Sequence, residues 1–190
     1  FRQRGPVMIL FDLETTGLPK AEGSDLDLQP RIIEFGAIKY NNDLIKKGEM
    51  KEEARLEFFC NPGHPLDPKI IKITNITDEM LKDEKPFIAK VNELTDFFLG
   101  ETDIVAHNLP FDRKVLRFEL ERLDKVTKFP WPPNHICTVE IGQKVWGKMR
   151  KLGDIYEELF DKKIEGAHRS INDVEATARI VNWYIEKGEI

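Results

Sequence analysis

The sequence predicts an α/β fold, a sheet packed by helices, and three observations carry that reading. A continuous apolar run at residues 7–13 (VMILFDL) ends in a turn, as a strand buried on both faces does. Segments with strand character come first and segments with a helical period follow, with some alternation between them. The length of 190 residues suits one compact unit with a hydrophobic core of its own.

In chain order, residues 20–30 form a Gly/Asp/Pro-containing loop after the first strand. Residues 31–40 (RIIEFGAIKY) and 56–60 read as further strands, and the polar stretch 41–55 between them as a long, mobile hairpin connection. A helix is predicted over 86–99, with Phe87, Val91, Leu94 and Phe98 on one face and Gly100 at its end. Residues 104–107 make a short strand, after which Pro110 suits the first position of a helix. The stretch 129–134 (FPWPPN) is a rigid loop. Helices follow over 139–146, 152–160 and 171–186.

Charge is abundant: 33% of residues are charged against 41% hydrophobic, and 29 basic against 34 acidic residues leave a formal −5. Taken alone, that sign argues against an electrostatically driven nucleic-acid binder. The argument weakens if four of the acids hold two divalent cations, which would bring the balance near neutral. No apolar run approaches a membrane span and no signal segment opens the sequence as given, so a cytoplasmic protein is expected. The first residue is Phe1 rather than Met, as in an excised domain. Cys60 and Cys137 lie in no metal-ligand spacing and read as buried free thiols.

Three short patterns carry chemistry. In Asp12-Leu13-Glu14, side chains at i and i+2 of a strand share a face, so two carboxylates project together and repel unless a cation or proton intervenes. Thr15-Thr16-Gly17 adds hydroxyls and a permissive backbone beside them. In His107-Asn108-Leu109-Pro110-Phe111-Asp112 a strand ends and a helix starts, which places Asp112 in the first turn, where the helix dipole alone would favour an acid. Phe111 reads as a core residue that could also stack a base. Third, Ser170 and Asp173 match a capping box, with His168 in the loop before it. His64 and His135, in Pro-rich loops without paired acids, carry no such signal. The set suits phosphodiester hydrolysis, in which two divalent ions roughly 4 Å apart want hard oxygen ligands and a neutral histidine can take a proton from water.

These motifs, in this order, resemble the DEDDh 3′→5′ exonucleases of the ribonuclease H-like superfamily, most nearly the proofreading, epsilon-type exonucleases of bacterial DNA polymerase III. Supporting segments are Arg31-Ile32-Ile33-Glu34-Phe35-Gly36-Ala37 and Ile76-Thr77-Asp78-Glu79-Met80-Leu81. Arg169 stands where the Tyr-type variant would carry its tyrosine. The resemblance implies a five-stranded mixed β-sheet flanked by α-helices, a single exonuclease domain over residues 1–190, and nucleoside 5′-monophosphates as products. It implies that Asp12, Glu14, Asp112 and Asp173 ligate two Mg²⁺ or Mn²⁺ ions and that His168 activates the attacking water. Thr15, Thr16, Gly17 and Leu18 would cradle the terminal nucleotide, with His107, Asn108 and Phe111 near the scissile phosphate or penultimate base. The substrate would be a single-stranded DNA 3′ end, and a DNA polymerase subunit the partner.

Relatives often carry His-Gly where this chain has Thr74-Asn75, and residues 144–151 (KVWGKMRK) are locally basic, which suits either tracking of a substrate backbone or a solvated helix-to-loop junction. Two rivals stay open. One is an RNA 3′-end trimming exoribonuclease, like ribonuclease T or oligoribonuclease, because the sequence leaves the terminal sugar contact unfixed. The other is a catalytically silent nucleic-acid-binding module, against which the intact acid set argues.

Overall fold

In a computed structural model, which describes residues 6–190, the apolar run becomes the central strand of a five-stranded mixed sheet. Strand β1 (Val7–Thr15) lies between β2 (Ile32–Asn41), antiparallel to it, and β4 (Asp103–Ala106), parallel to it. Beyond β2 lies β3 (Glu52–Phe59), antiparallel, and beyond β4 lies β5 (Asn134–Cys137), parallel, giving the order β3-β2-β1-β4-β5. The helices are α1 (Asn42–Ile45), α2 (Pro68–Thr74), α3 (Asp78–Leu81), α4 (Val91–Phe98), α5 (Leu109–Arg122), α6 (Thr138–Trp146), α7 (Leu152–Phe160) and α8 (Ser170–Glu186).

The alternation of side chains along β1 explains why its run is apolar without a break. Ile9, Phe11 and Leu13 enter the core with Phe98 of α4 and Val115, Leu116 and Leu120 of α5. Met8 and Leu10 point the other way and pack with Val174, Ala178 and Val181 of α8. A strand covered on both faces needs both rows apolar. Helices α6, α7 and α8 share a third cluster around Tyr184, and α2 and α3 close a fourth around Ile33 and Ile76.

Some sequence expectations change. The hairpin connection between β2 and the antiparallel β3 is shorter than 41–55 and partly helical: Asn41 caps α1 through its side chain, Ile45 is fully buried, and β3 begins at Glu52. The helix expected over 86–99 divides into a 3₁₀ turn at Phe87–Ala89 and α4, with Lys90 between them at φ −107° and ψ −13°. Helix α2 and strand β5 are additions. The sequence does hold a signal for α2, an Asp67 cap followed by Pro68, whereas β5 is an edge strand with Asn134 and His135 exposed and so makes no apolar run. Cys60 and Cys137 are buried and unbridged. Among the described residues no helix is long and apolar enough to cross a membrane.

One contact decides where α8 begins. Gly36 sits opposite Asp12 in the β1–β2 ladder, and a Cβ there would meet Ile171 N and Ser170 Cβ at 2.8 Å and Ser170 C at 3.0 Å. Glycine therefore lets the start of α8 rest directly on the sheet. Gly36→Ala forces that helix start outward, at a cost of about 1–3 kcal/mol. Since the helix start carries Asp173, nuclease activity is expected to fall on the order of 100-fold. Thermal melting and nucleotide-release rates check both; a variant with the parent rate would show that the helix start tolerates the shift.

Candidate active site

Asp12 and Glu14 continue the row of Met8 and Leu10, so both carboxylates emerge on the α8 face just where the apolar strand ends. Across the ladder Glu14 stands opposite Glu34. Two helix starts converge on the same edge. Asp112, in the first turn of α5 and only 3% exposed, accepts the Leu13 N–H through Oδ1 at 3.2 Å. Asp173, in the first turn of α8 and 9% exposed, accepts the His168 N–H through Oδ1 at 3.4 Å. Glu14, His168 and Asp173 each offer a ligand atom within 4.8 Å of the other two. The capping box expected at Ser170 gives way to a different cap. Ser170 is the first helical residue, and its N–H donates to Glu34 Oε1 at 2.6 Å. The cap thus comes from β2, 136 residues away, which no local pattern reveals.

The acids strain against one another. Burial, then Asp112, Glu14, Asp173 and Glu34, hold the Asp12 carboxyl well above the usual carboxylate range. Burial raises Asp112 as well, against the opposing Leu13 N–H. Glu14 is pushed up to about 8, by burial first and then by Asp173 and Glu34. Asp173 is pushed up to about 6, by burial, with the His168 N–H working the other way. Asp12 Oδ2 is buried with no hydrogen-bond partner among the described residues. A buried carboxylate oxygen left open, among acids that repel one another, fits a divalent cation as its missing counter-charge.

That electrostatic state makes stability depend on pH. Glu14 and Asp173 bind their protons more tightly folded than unfolded, so stability is fully present below the ordinary carboxylate range. It is lost as pH rises through about 6 and about 8. In chelator, the melting temperature is expected to fall by several degrees between about pH 5 and about pH 8.5. Mg²⁺ or Mn²⁺ would raise it again, and more so at the higher pH, where no protons must be displaced. Melting curves that stay flat in pH and indifferent to metal would contradict this.

The remaining residues divide by what their polar atoms already do. Thr15 Oγ1 donates to Gly17 O at 2.8 Å, and Thr16 Oγ1 accepts the Arg31 N–H at 2.9 Å, so both hydroxyls serve the turn. Gly17 has open space where a Cβ would lie, and Leu18 is 75% exposed. Both ring nitrogens of His107 are engaged, Nδ1 with Thr138 Oγ1 at 2.8 Å and Nε2 with Arg150 O at 2.9 Å. A carbonyl only accepts, so Nε2 carries the proton, and burial pulls the pKa of this ring down. Asn108 adopts a left-handed conformation that turns the chain from β4 into α5, and Phe111 packs half-buried against the core. His168 is exposed, with a left-handed φ of 66°. Thr74 is buried, its hydroxyl donating to Ile70 O, so it presents no contact surface.

A family model described as an exonuclease matches residues 9–181. The chain belongs to the exonuclease family. It is a nuclease, an enzyme of the hydrolase class. Among relatives, DNA polymerase III PolC-type of Bacillus subtilis is 33% identical over 175 residues, covering 91% of this chain and 11% of its own length. The PolC-type polymerase of Streptococcus pneumoniae is 32% identical over 182 residues, covering 94% and 11%. The chain thus spans about a ninth of these relatives. Among solved structures, the nuclease domain of 3′hExo, a DEDDh family member bound to rAMP, superposes with a TM-score of 0.71 at 18% identity, covering 97% of this chain and 94% of that one. An E. coli ExoI–ssDNA complex in its zinc-bound form gives 0.79 at 17% identity, covering 96% and 41%. At such identities the likeness is one of fold: the exonuclease arrangement of a mixed five-stranded sheet flanked by helices.

Proposed function

We propose that this exonuclease degrades single-stranded DNA from its 3′ end and releases nucleoside 5′-monophosphates with the help of two divalent ions, Mg²⁺ or Mn²⁺. The observation that carries the reading is the convergence of Asp12, Glu14, Asp112 and Asp173 from three elements around an unpartnered buried carboxylate oxygen. These four residues would hold the ions. When bound, such a pair supplies Lewis-acid polarisation of the phosphodiester and neutralises charge on the entering and leaving oxygens. His168 takes the proton of the attacking water at an imidazole nitrogen. Its loop is fixed for that by the His168 N–H on Asp173 and by Arg169, which donates to Thr74 O at 3.1 Å and Asn75 O at 3.4 Å. Glu34 acts through α8, setting its first amide and hence Asp173.

The terminal nucleotide would lie over Gly17, where the backbone is open, with its base against Leu18. Thr15 and Thr16 shape that turn, Phe111 supports the penultimate base, and Asn108 and His107 fix the strand-to-helix corner beside the scissile phosphate. Likeness to PolC-type polymerases supports a cytoplasmic role beside a DNA polymerase, removing misincorporated ends, with residues 1–190 as the exonuclease unit. Matched 5′-labelled DNA and RNA strands, digested side by side with Mg²⁺ or Mn²⁺, test the substrate. DNA is expected to shorten stepwise from its 3′ end, faster than RNA. Faster loss of RNA would instead favour a 3′-end trimming exoribonuclease, and no loss of either a silent binding module.

A further inference from the structure

The basic stretch after α6 plays no part in the hydrolytic chemistry, and its place in the fold gives it another role. In the parallel β1–β4 ladder Leu10 pairs with Val105, and His107 follows directly on the end of β4 at Ala106. Val105 packs on the α8 face with Met8 and Leu10, while Ile104 and Ala106 enter the opposite core. His107 itself stands in the turn that joins β4 to α5, the helix whose first turn carries Asp112. The His107 bond to Arg150 O, at 2.9 Å, therefore brings loop 147–151 to the border of the acid cluster.

The loop is pinned from several sides. Gly147 ends α6 with a φ of +72°, and the Arg150 guanidinium lies 5.0 Å over Trp146 and pairs with Glu158. What it turns outward is Lys148, Met149 (64% exposed) and Lys151. Neither lysine is in an ion pair among the described residues. Residues 144–151 hold four basic side chains and no acid, in a chain whose formal charge is −5. A rigid, cationic edge with one apolar side chain, beside carboxylates that repel phosphate, matches a single nucleic-acid strand: a backbone of phosphates and bases free to pack on apolar groups.

We propose that loop 147–151 binds the DNA strand upstream of the end being cleaved, with Lys148 and Lys151 on its phosphates and Met149 against a base. The inference rests on the exonuclease reading above. It is tested with a fluorescein-labelled 12-nucleotide DNA strand protected by 3′ phosphorothioate linkages, in Mg²⁺, by fluorescence anisotropy over a range of salt. Hydrolysis of the p-nitrophenyl ester of thymidine 5′-monophosphate, which has no upstream strand, is followed in parallel. For Lys148→Ala/Lys151→Ala, strand affinity is expected to fall about tenfold. The slope of log affinity against log salt should become shallower by about 0.7 for each phosphate no longer neutralised, and so by about 1.4 for the two lysines. Met149→Ala should weaken binding without changing the slope, and ester hydrolysis should match the parent in both variants. Parent-like strand affinity and slope in the double variant would overturn the proposal. An unreactive ester in the parent would count against the exonuclease reading instead, and the anisotropy would still decide the loop.

Discussion

Asp12→Asn is expected to melt higher than the parent in chelator and yet to lose nearly all nucleotide release. The two effects have one cause. Asp12 faces Asp112, Glu14, Asp173 and Glu34, and its Oδ2 has no hydrogen-bond partner among the described residues, so without a cation its charge is a liability. An amide of the same shape removes that repulsion while keeping the fold. It also removes a ligand oxygen from an ion whose contribution to the transition state is several kcal/mol, so the rate should drop on the order of 1,000-fold or more. The metal-induced rise in melting temperature should shrink along with it. Melting curves with and without Mg²⁺, beside release of labelled mononucleotide, measure the three quantities on one sample. A variant that keeps the parent rate would remove Asp12 from the metal site and with it the geometric basis of the exonuclease mechanism.

The parts of this site that are legible in the sequence are those fixed by short-range geometry. Asp12 and Glu14 share a face because strand alternation requires it, and the apolar run before them declares the strand. Asp112 and Asp173 fall in first helical turns on the strength of their flanking residues alone. What cannot be read is what crosses the sheet. Glu34 caps α8 from β2, Gly36 admits that helix to the sheet, and Arg169 ties the His168 loop to the end of α2; each contact joins residues far apart in the chain. A capping box at Ser170 is the reasonable local reading, and the long-range carboxylate displaces it. His107 and the two threonines carry the same lesson from the other side. Their residue types suit substrate contact, yet both His107 nitrogens, the Thr15 hydroxyl proton and one acceptor site of the Thr16 hydroxyl are engaged within the protein, which the sequence alone does not show. Strand β5 leaves no apolar run in the sequence because it is an edge strand that follows a Pro-rich loop and exposes Asn134 and His135, whereas β4, equally short, is apolar and buried.

His168→Ala should separate base from ligand, a distinction that geometry alone leaves to measurement because its ring lies within 4.8 Å of both Glu14 and Asp173. If the imidazole accepts the proton of the attacking water, the variant loses about 100- to 10,000-fold in rate, the range of a positioned general base. Its divalent-ion shift in melting temperature stays at the parent value, because the four carboxylates still hold the ions. If the ring were a ligand, both quantities would fall together. The exposed position and left-handed backbone of His168 favour the first outcome: a side chain on a loop held at its amide by Asp173 can reach a water beside the acids without being buried among them. Rate loss with an undiminished metal shift assigns the proton transfer to His168. A variant within threefold of the parent rate would mean that the water is activated without it.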